Sequence, residues 1–386
     1  MLSIFYGMKA NKYKIKPTLD QIEKLSQNFG CARFIYNFAL SKKKELWKSK
    51  KKNISRFELQ TLLVQMKKDT NKSWLNNAHS QTLQSSLMHL DNAFKNFFKK
   101  RSKYPTFKKK YNHQSIQYPQ SVKVDGNKIY LPKIGWIKAI IHREIQGEIK
   151  TVTVSKDATS SYFASVLVDD GVEKPKPIKN IKSHIGLDAG LKDFVTISDG
   201  KKIKNKKFLD KKLKNLKLKQ KKLTRTAKKS ARRSKARNLL AKVHKKVKNA
   251  RNDFHHKVSL KLAVENQAVS IEDLSISKMV KTKCLARYLL DIGWNSFVEK
   301  LKYKLEDRGG ILIKIGKFFP STKTCSKCNF VQEGITLAKR SWICDNCKTK
   351  HDRDLNASTN IDNQGVIKLK AEGFTVSARG GLYKTA

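Results

Sequence analysis

Apolar residues recur at helical spacing three times within the first hundred positions. Ile22, Leu25, Phe29, Ala32, Ile35 and Phe38 form one stripe, Leu59, Leu62, Leu63 and Met66 a second, and Leu83, Leu87, Leu90, Phe94 and Phe97 a third. Each stripe predicts one buried face of an amphipathic helix. Thr18 with Gln21, and Ser55 with Glu58, set capping boxes ahead of the first two. Residues 9–16 alternate weakly and predict an exposed or edge strand that Pro17 ends. Beyond Pro105 the period shortens to two. Val122 and Val124, then Asp125-Gly126, then Ile129 and Leu131 predict a hairpin. Val152 and Val154 with Tyr162 to Val168 predict a second pair. Strands before and after the helices make residues 1–17 and 105–172 a small β-barrel with a helical insert at 18–104. Tyr118, Tyr130 and Trp136 lie among lysines there, as packing residues or as surfaces for bases. Glu173-Lys-Pro-Lys-Pro-Ile-Lys-Asn opens a stiff linker at 173–182.

The second half places acids at strand ends. Residues 183–190 read as a short buried strand with Asp188 near its end, and 193–200 as an adjoining strand and turn. Val269-Ser-Ile271-Glu272-Asp273 repeats the arrangement, and Asp354 falls at the start of a third segment, 351–361. An acid on a central strand is costly unless a cation compensates it. Three acids from separate elements suit phosphodiester hydrolysis with magnesium, which takes oxygen ligands and works in such sites as a pair of ions. Register prefers Glu272 to Asp273 only weakly, and spacing does not separate Asp354 from Asp352.

Charge sharpens this reading. The 386 residues carry 84 Lys and Arg against 31 Asp and Glu, a net +53, so the chain repels itself unless a polyanion neutralises it. No apolar stretch reaches the roughly 18 residues of a membrane span, and the N-terminus lacks a secretory pattern. Residues 201–251 hold 24 Lys and Arg and one acid, Asp210. Leu213, Leu216 and Leu223, then Leu240, Val243, Val247, Phe254 and Val258, predict two long helices there with a narrow apolar stripe and a broad basic face. Lys211, Lys212, Arg225, Arg232, Arg233 and Arg237 are its candidate phosphate contacts.

Cys325-Ser-Lys-Cys328 and Cys344-Asp-Asn-Cys347 are separated by residues 329–343, the spacing of a four-thiolate zinc site. Four cysteines leave no open coordination position, so such a zinc is structural. Cys31 and Cys284 read as ordinary thiols. Paired CxxC motifs without a disulfide framework fit a reducing cytosol.

Leu289-Leu-Asp-Ile-Gly-Trp294-Asn-Ser-Phe297, Phe318-Phe-Pro-Ser-Thr-Lys-Thr-Cys325-Ser-Lys-Cys328 and His351-Asp-Arg-Asp354-Leu-Asn-Ala357 closely resemble the TnpB family of bacterial and archaeal insertion sequences. Phe29 to Asn37 resembles its N-terminal signature and Ile271 to Leu274 its middle acid. The resemblance runs from about Tyr13 to Ile361, which makes Met8 a candidate start. It implies a monomeric, nucleoid-associated cytoplasmic RNA-guided DNA endonuclease. Its guide RNA comes from the transposon end, and it cuts double-stranded DNA beside a short motif. It also implies a bilobed α+β protein. A wedge barrel carries a helical recognition insert, an RNase H-like RuvC domain spans 183–320 and 351–365, and a zinc module at 321–350 is set within it. The resemblance favours Asp188, Glu272 and Asp354 as the magnesium-binding acids. Residues 362–386 match no motif, and 366–386 are expected to form a mobile tail. Two other functions use the same features: an RNA-guided regulator with weak catalysis, and a transposase acting without RNA.

Overall fold

The structure is a computed structural model that describes residues 6–274, 283–336 and 339–377. The chain divides into two compact units at Glu173/Lys174.

In the first unit β1 (Tyr6–Lys16) leads into α1 (Leu19–Lys50), α2 (Arg56–Lys68) and α3 (Ser80–Phe98). Both capping boxes form as the sequence predicts. α1 is longer than its stripe because its basic C-terminal turns continue until Lys51 adopts a left-handed conformation. Leu25, Phe29 and Ala32 pack into the core of the sheet. Further along the same helix, Ile35, Tyr36, Ala39 and Leu40 join the core with α2 and α3. One rigid helix thus carries the insert on the sheet.

That sheet adds β2 (Gln114–Tyr118), β3 (Lys123–Asp125), β4 (Lys128–Leu131), β5 (Gly135–Ile140), β6 (Glu148–Lys156) and β7 (Tyr162–Glu173). Its order is β2-β6-β7-β1-β5-β4-β3, antiparallel throughout. Tyr118 of β2 and Ile129 of β4 share one buried cluster with Tyr13, Ile137, Val152 and Val166, so the sheet curls around its own core. Asp125-Gly126 turns the β3–β4 hairpin, with Gly126 at φ 47°. Tyr118 is fully buried, whereas Trp136 stays partly exposed against the Tyr130 ring.

The second unit contains β8 (Asn180–Ile181), β9 (His184–Ala189), β10 (Asp193–Ile197) and β11 (Lys202–Lys204), then α4 (Leu213–Thr224), α5 (Ala231–Glu265) and β12 (Ala268–Glu272). There follow α6 (Lys283–Ile292), α7 (Trp294–Glu306), β13 (Ile311–Ile315), β14 (Ser341–Ile343), β15 (Lys350–Asp352), α8 (Arg353–Ala371) and β16 (Thr375–Val376). Its main sheet has the order β11-β10-β9-β12-β13; β9, β12 and β13 run parallel, while β10 runs antiparallel to both β9 and β11. Side chains alternate between the faces of a strand. Ile185, Leu187, Val269 and Ile271 pack with α5 and α7 around Leu262, Phe297 and Leu301. Gly186 and Ser270 alternate to the other face and meet α8.

Several features differ from the sequence reading, the first being that β1, read as an exposed or edge strand, lies inside its sheet between β7 and β5. Residues 366–386 were expected as a mobile tail, but α8 runs to Ala371 and β16 pairs in parallel with β8. Ile181, expected in the linker, is buried with Leu369 and packs against Phe374 and Val376. An apolar residue every few positions in an otherwise polar tail was enough to build a small sheet. Residues 378–386 lie outside the described residues. α5 also extends beyond the basic stretch, to Glu265, carried by its buried Leu262 and Ala263.

Candidate active site and four-cysteine knuckle

The parallel pairing of β9 with β12 matches Leu187 to Ile271. The next residue on each strand is an acid, so Asp188 and Glu272 stand side by side at the ends of neighbouring strands. Both alternate onto the face that α8 covers. α8 begins with Arg353 and carries Asp354 in its first turn.

Two glycines let α8 come down onto the sheet. A Cβ on Gly186 would collide with Ser358 O and with Asp362 N, and one on Gly365 would collide with Ser270 Oγ. The closeness is fastened by a buried polar group. His184 Nδ1 lies 3.0 Å from Asp362 Oδ1, Ser198 Oγ donates to Asp362 Oδ2 at 3.5 Å, and Gly186 N donates to Ser198 Oγ at 2.9 Å. Neither Ser198 nor Asp362 stood out in the sequence, because they meet each other across 164 residues of chain and Asp362 meets His184 across 178.

The three acids share one electrostatic site. Burial pushes the Asp188 carboxyl up to about 8, and the negative charges of Glu272 and Asp354 push the same way against the opposing Arg353 guanidinium. Protein surrounds this carboxyl although part of its surface still reaches solvent. Clustered carboxylates that resist ionising together make a setting that a divalent cation relieves. Hard oxygen donors from three elements fit magnesium.

The neighbouring acids are committed elsewhere. Asp352 is the N-cap of α8, accepting from Asp354 N at 3.1 Å and Leu355 N at 3.0 Å, and its other oxygen meets Lys202 Nζ at 2.8 Å. Burial works to raise this carboxyl, but Lys202 and the two amides outweigh it and hold it below the usual carboxylate range. Asp273 is exposed and pairs with Lys314 at 3.3 Å. Asp354 is gripped by Arg353, with Nη2 at 2.9 Å, and by Arg340 at 3.3 Å. Glu272 accepts a 2.5 Å hydrogen bond from the buried Ser321 hydroxyl.

Ser321 opens the first knuckle, which is docked on α8. Asn360 Nδ2 donates to Ser321 O at 2.7 Å and Thr324 O at 2.6 Å; Asn356 Nδ2 donates to Thr324 O at 2.7 Å, and its Oδ1 accepts from Ser326 N at 2.9 Å. Spaced four apart, both asparagines lie on the same helix face. The four thiol sulfurs of Cys325, Cys328, Cys344 and Cys347 lie within 4.8 Å of one another. Cys325–Cys347 and Cys328–Cys344 are each 3.6 Å apart, far beyond a disulfide and close to the edge of about 3.8 Å set by tetrahedral zinc–sulfur bonds of about 2.3 Å. Burial pushes Cys325 up to about 12, whereas the Thr349 hydroxyl and amide bring Cys347 down to about 6. The cluster therefore fits zinc. His351 Nε2 lies 3.1 Å from Cys325 Sγ, and its ring packs on Trp342 at 4.7 Å. Cys31 is buried in the core of α1 to α3; the side chain of Cys284 lies outside the described residues.

Of the six basic residues singled out in the sequence, Lys211, Lys212, Arg225, Arg232 and Arg237 are exposed. Arg233 is not free for phosphate. Its Nη1 donates to Leu223 O at 3.0 Å and Thr226 O at 2.8 Å, clamping the turn between α4 and α5.

Comparisons with known proteins bear on this architecture. Residues 165–283 match the OrfB_IS605 family, described as "Probable transposase", and 294–361 match a "Cas12f1-like, TNB domain". Residues 8–52 match a "Helix-turn-helix domain", although in this chain that span is β1 followed by the single helix α1. A Streptomyces pristinaespiralis protein named "Putative RNA-guided DNA endonuclease" is 37% identical over 361 residues, covering 92% of this chain and 88% of its own. InsQ of Escherichia coli K12, with the same description, is 31% identical over 389 residues and 96% of both chains. In fold, the chain is similar to the protein in a cryo-EM structure of a Cas12f1-sgRNA-target DNA complex. The TM-score is 0.55 at 17% identity, over 89% of this chain and 82% of that one.

Proposed function

The chain belongs to the TnpB family of insertion-sequence proteins, and on that premise we propose that it is an RNA-guided DNA endonuclease. The observation that carries the reading is the convergence of Asp188, Glu272 and Asp354 from two strands and a helix onto one site. There, burial and mutual repulsion push Asp188 up to about 8. Asp188, Glu272 and Asp354 would hold magnesium, which would supply the Lewis acidity for phosphodiester hydrolysis. The chain's own work is to hold the carboxylates. β9 and β12 set Asp188 beside Glu272, Ser321 orients Glu272, and the docked start of α8 delivers Asp354. The zinc knuckle fixes the segment that bears Ser321.

Target choice passes to base pairing with a guide RNA from the transposon end, and the protein contributes backbone contacts and the reading of a short adjacent motif. The net charge of +53 and the exposed basic residues of α4 and α5 support an electrostatic grip on both nucleic acids. The curled sheet serves as the wedge and α1 to α3 as the recognition insert, in a monomeric cytoplasmic particle. No helix among the described residues is long and apolar enough to cross a membrane.

The test is to co-express the protein with its flanking DNA, sequence the bound RNA, and reprogram its 3′ end against a plasmid library with random bases beside the target. Magnesium-dependent cutting that follows the guide and disappears in Asp188→Ala is the expected result. Bound RNA without cutting would indicate a regulator. Joining of transposon ends without RNA would indicate a transposase.

A further inference from the structure

We propose that Phe318 is a stacking platform for an unpaired base of the DNA strand held at the three carboxylates; the proposal rests on the nuclease reading above. β13 ends at Ile315, whose register partner on β12 is Glu272. Six residues later the Ser321 hydroxyl donates to the carboxylate of the same Glu272. Residues 316–320 are therefore a short loop tethered to Glu272 at both ends, and Phe318 is its midpoint.

At 90% exposure Phe318 is the most exposed large hydrophobic side chain among the described residues. It is not displayed on slack chain. Phe319 N donates to Gly316 O at 3.2 Å, Ser321 N to Phe319 O at 2.8 Å, and both Lys323 N and Thr324 N to Pro320 O at 3.0 Å. Phe318 is three steps along the chain from Ser321, so at about 3.5 Å per step its Cα stays within about 10 Å of that anchor's Cα. The adjacent charges are cationic: Lys317 Nζ lies 5.6 Å from the ring centroid, and Lys323 is exposed.

An exposed aromatic ring flanked by lysines is the surface on which single-stranded nucleic acid stacks its bases while its phosphates are neutralised. A strand drawn onto carboxylates must separate from its complement, and the base beside the cut loses a stacking neighbour. Phe318 replaces that neighbour and fixes the register of the strand against the acids. A packing role does not account for a ring that is almost wholly in solvent, and this exposure also means that truncating it leaves the fold intact.

The test uses the protein with its co-purified guide RNA and guide-matched DNA in which an abasic residue is walked through the cleavage region. Phe318→Ala is expected to lower kcat/KM about tenfold, mostly through KM, while Phe318→Trp retains activity. One abasic position should produce the same loss in the wild type and no further loss in Phe318→Ala. Unchanged cutting by Phe318→Ala, or an equal additional loss at every abasic position, overturns the proposal. In parallel, 2-aminopurine is placed at successive positions of the strand and its quenching read in EDTA. Quenching at one position that disappears in Phe318→Ala supports the platform, and quenching unaltered by the variant overturns it. Failure of the wild type to cut any guide-matched DNA would remove the nuclease reading, while the quenching would still decide whether Phe318 stacks on a base.

Discussion

Ser321 and Glu272 are joined by a 2.5 Å hydrogen bond between a buried hydroxyl and a carboxylate at a strand end. The backbone of Ser321 is held by Asn360 of α8, so one residue connects the four-cysteine knuckle, the helix of Asp354 and the strand of Glu272. A hydrogen bond to a charged group contributes about 1.5–3 kcal/mol. Ser321→Ala should therefore raise the magnesium concentration for half-maximal cleavage roughly tenfold while target affinity stays unchanged. A magnesium titration of cleavage beside a binding assay in EDTA checks it; equal curves would remove Ser321 from the site.

Asp188 gives a pH signature. Its carboxyl is pushed up to about 8 by burial and by Glu272 and Asp354, against about 3.9 in the unfolded chain. Between those values the folded state holds a proton that the unfolded state has released. This group's contribution to stability is thus complete below about pH 4 and is lost as pH rises through 8. Magnesium offsets the loss, so the melting shift on adding magnesium should be larger at pH 9 than at pH 6. Asp188→Asn should abolish that difference and raise the metal-free melting temperature at pH 8.

Gly365 and Ser270 define the spacing between α8 and the sheet. Gly365→Ala should destabilise the second unit by about 1–3 kcal/mol through overpacking and suppress cleavage by lifting Asp354 away from its partners. Adding Ser270→Gly, which removes the obstructing side chain, should recover part of both losses. Strict additivity in a double-mutant cycle of thermal melts would rule out the contact.

Metal analysis of the purified protein should return one zinc per chain, held by Cys325, Cys328, Cys344 and Cys347. Cys344→Ser should lose it. Because Ser321 leads directly into the first knuckle, the variant should also lose cleavage while keeping guide RNA. Retention of full activity without zinc would separate the knuckle from the catalytic site.

Arg232 and Arg233 are neighbours with different tasks. Arg232 is exposed, so Arg232→Ala should reduce the salt dependence of nucleic-acid binding by about one unit of slope without altering the melting temperature. Arg233 clamps Leu223 O and Thr226 O, so Arg233→Ala should weaken amide-exchange protection across the α4–α5 turn. The same exchange pattern in both variants would refute this distinction.

The elements whose cause is local were legible in the chain. Apolar periodicity outlined α1 to α3, the two boxes Thr18/Gln21 and Ser55/Glu58 formed, and Asp125-Gly126 turned its hairpin. CxxC spacing fixed which four thiols would gather, because a metal's ligand number and bite are properties of a short segment. Residue patterning preferred Glu272 to Asp273 only weakly and left Asp354 level with Asp352, and the family resemblance favoured Glu272 and Asp354. In the tertiary structure Asp273 turns out to Lys314, and Asp352 is taken by amides and Lys202. Packing also reassigned Arg233, built the expected tail into β16, and brought Gly186 and Gly365 to the contacts that seat α8. Periodicity, caps and ligand spacing act over a few residues and are written in their order. Which carboxylate faces another depends on strand register and helix approach between segments more than eighty residues apart, and only the packed chain sets those.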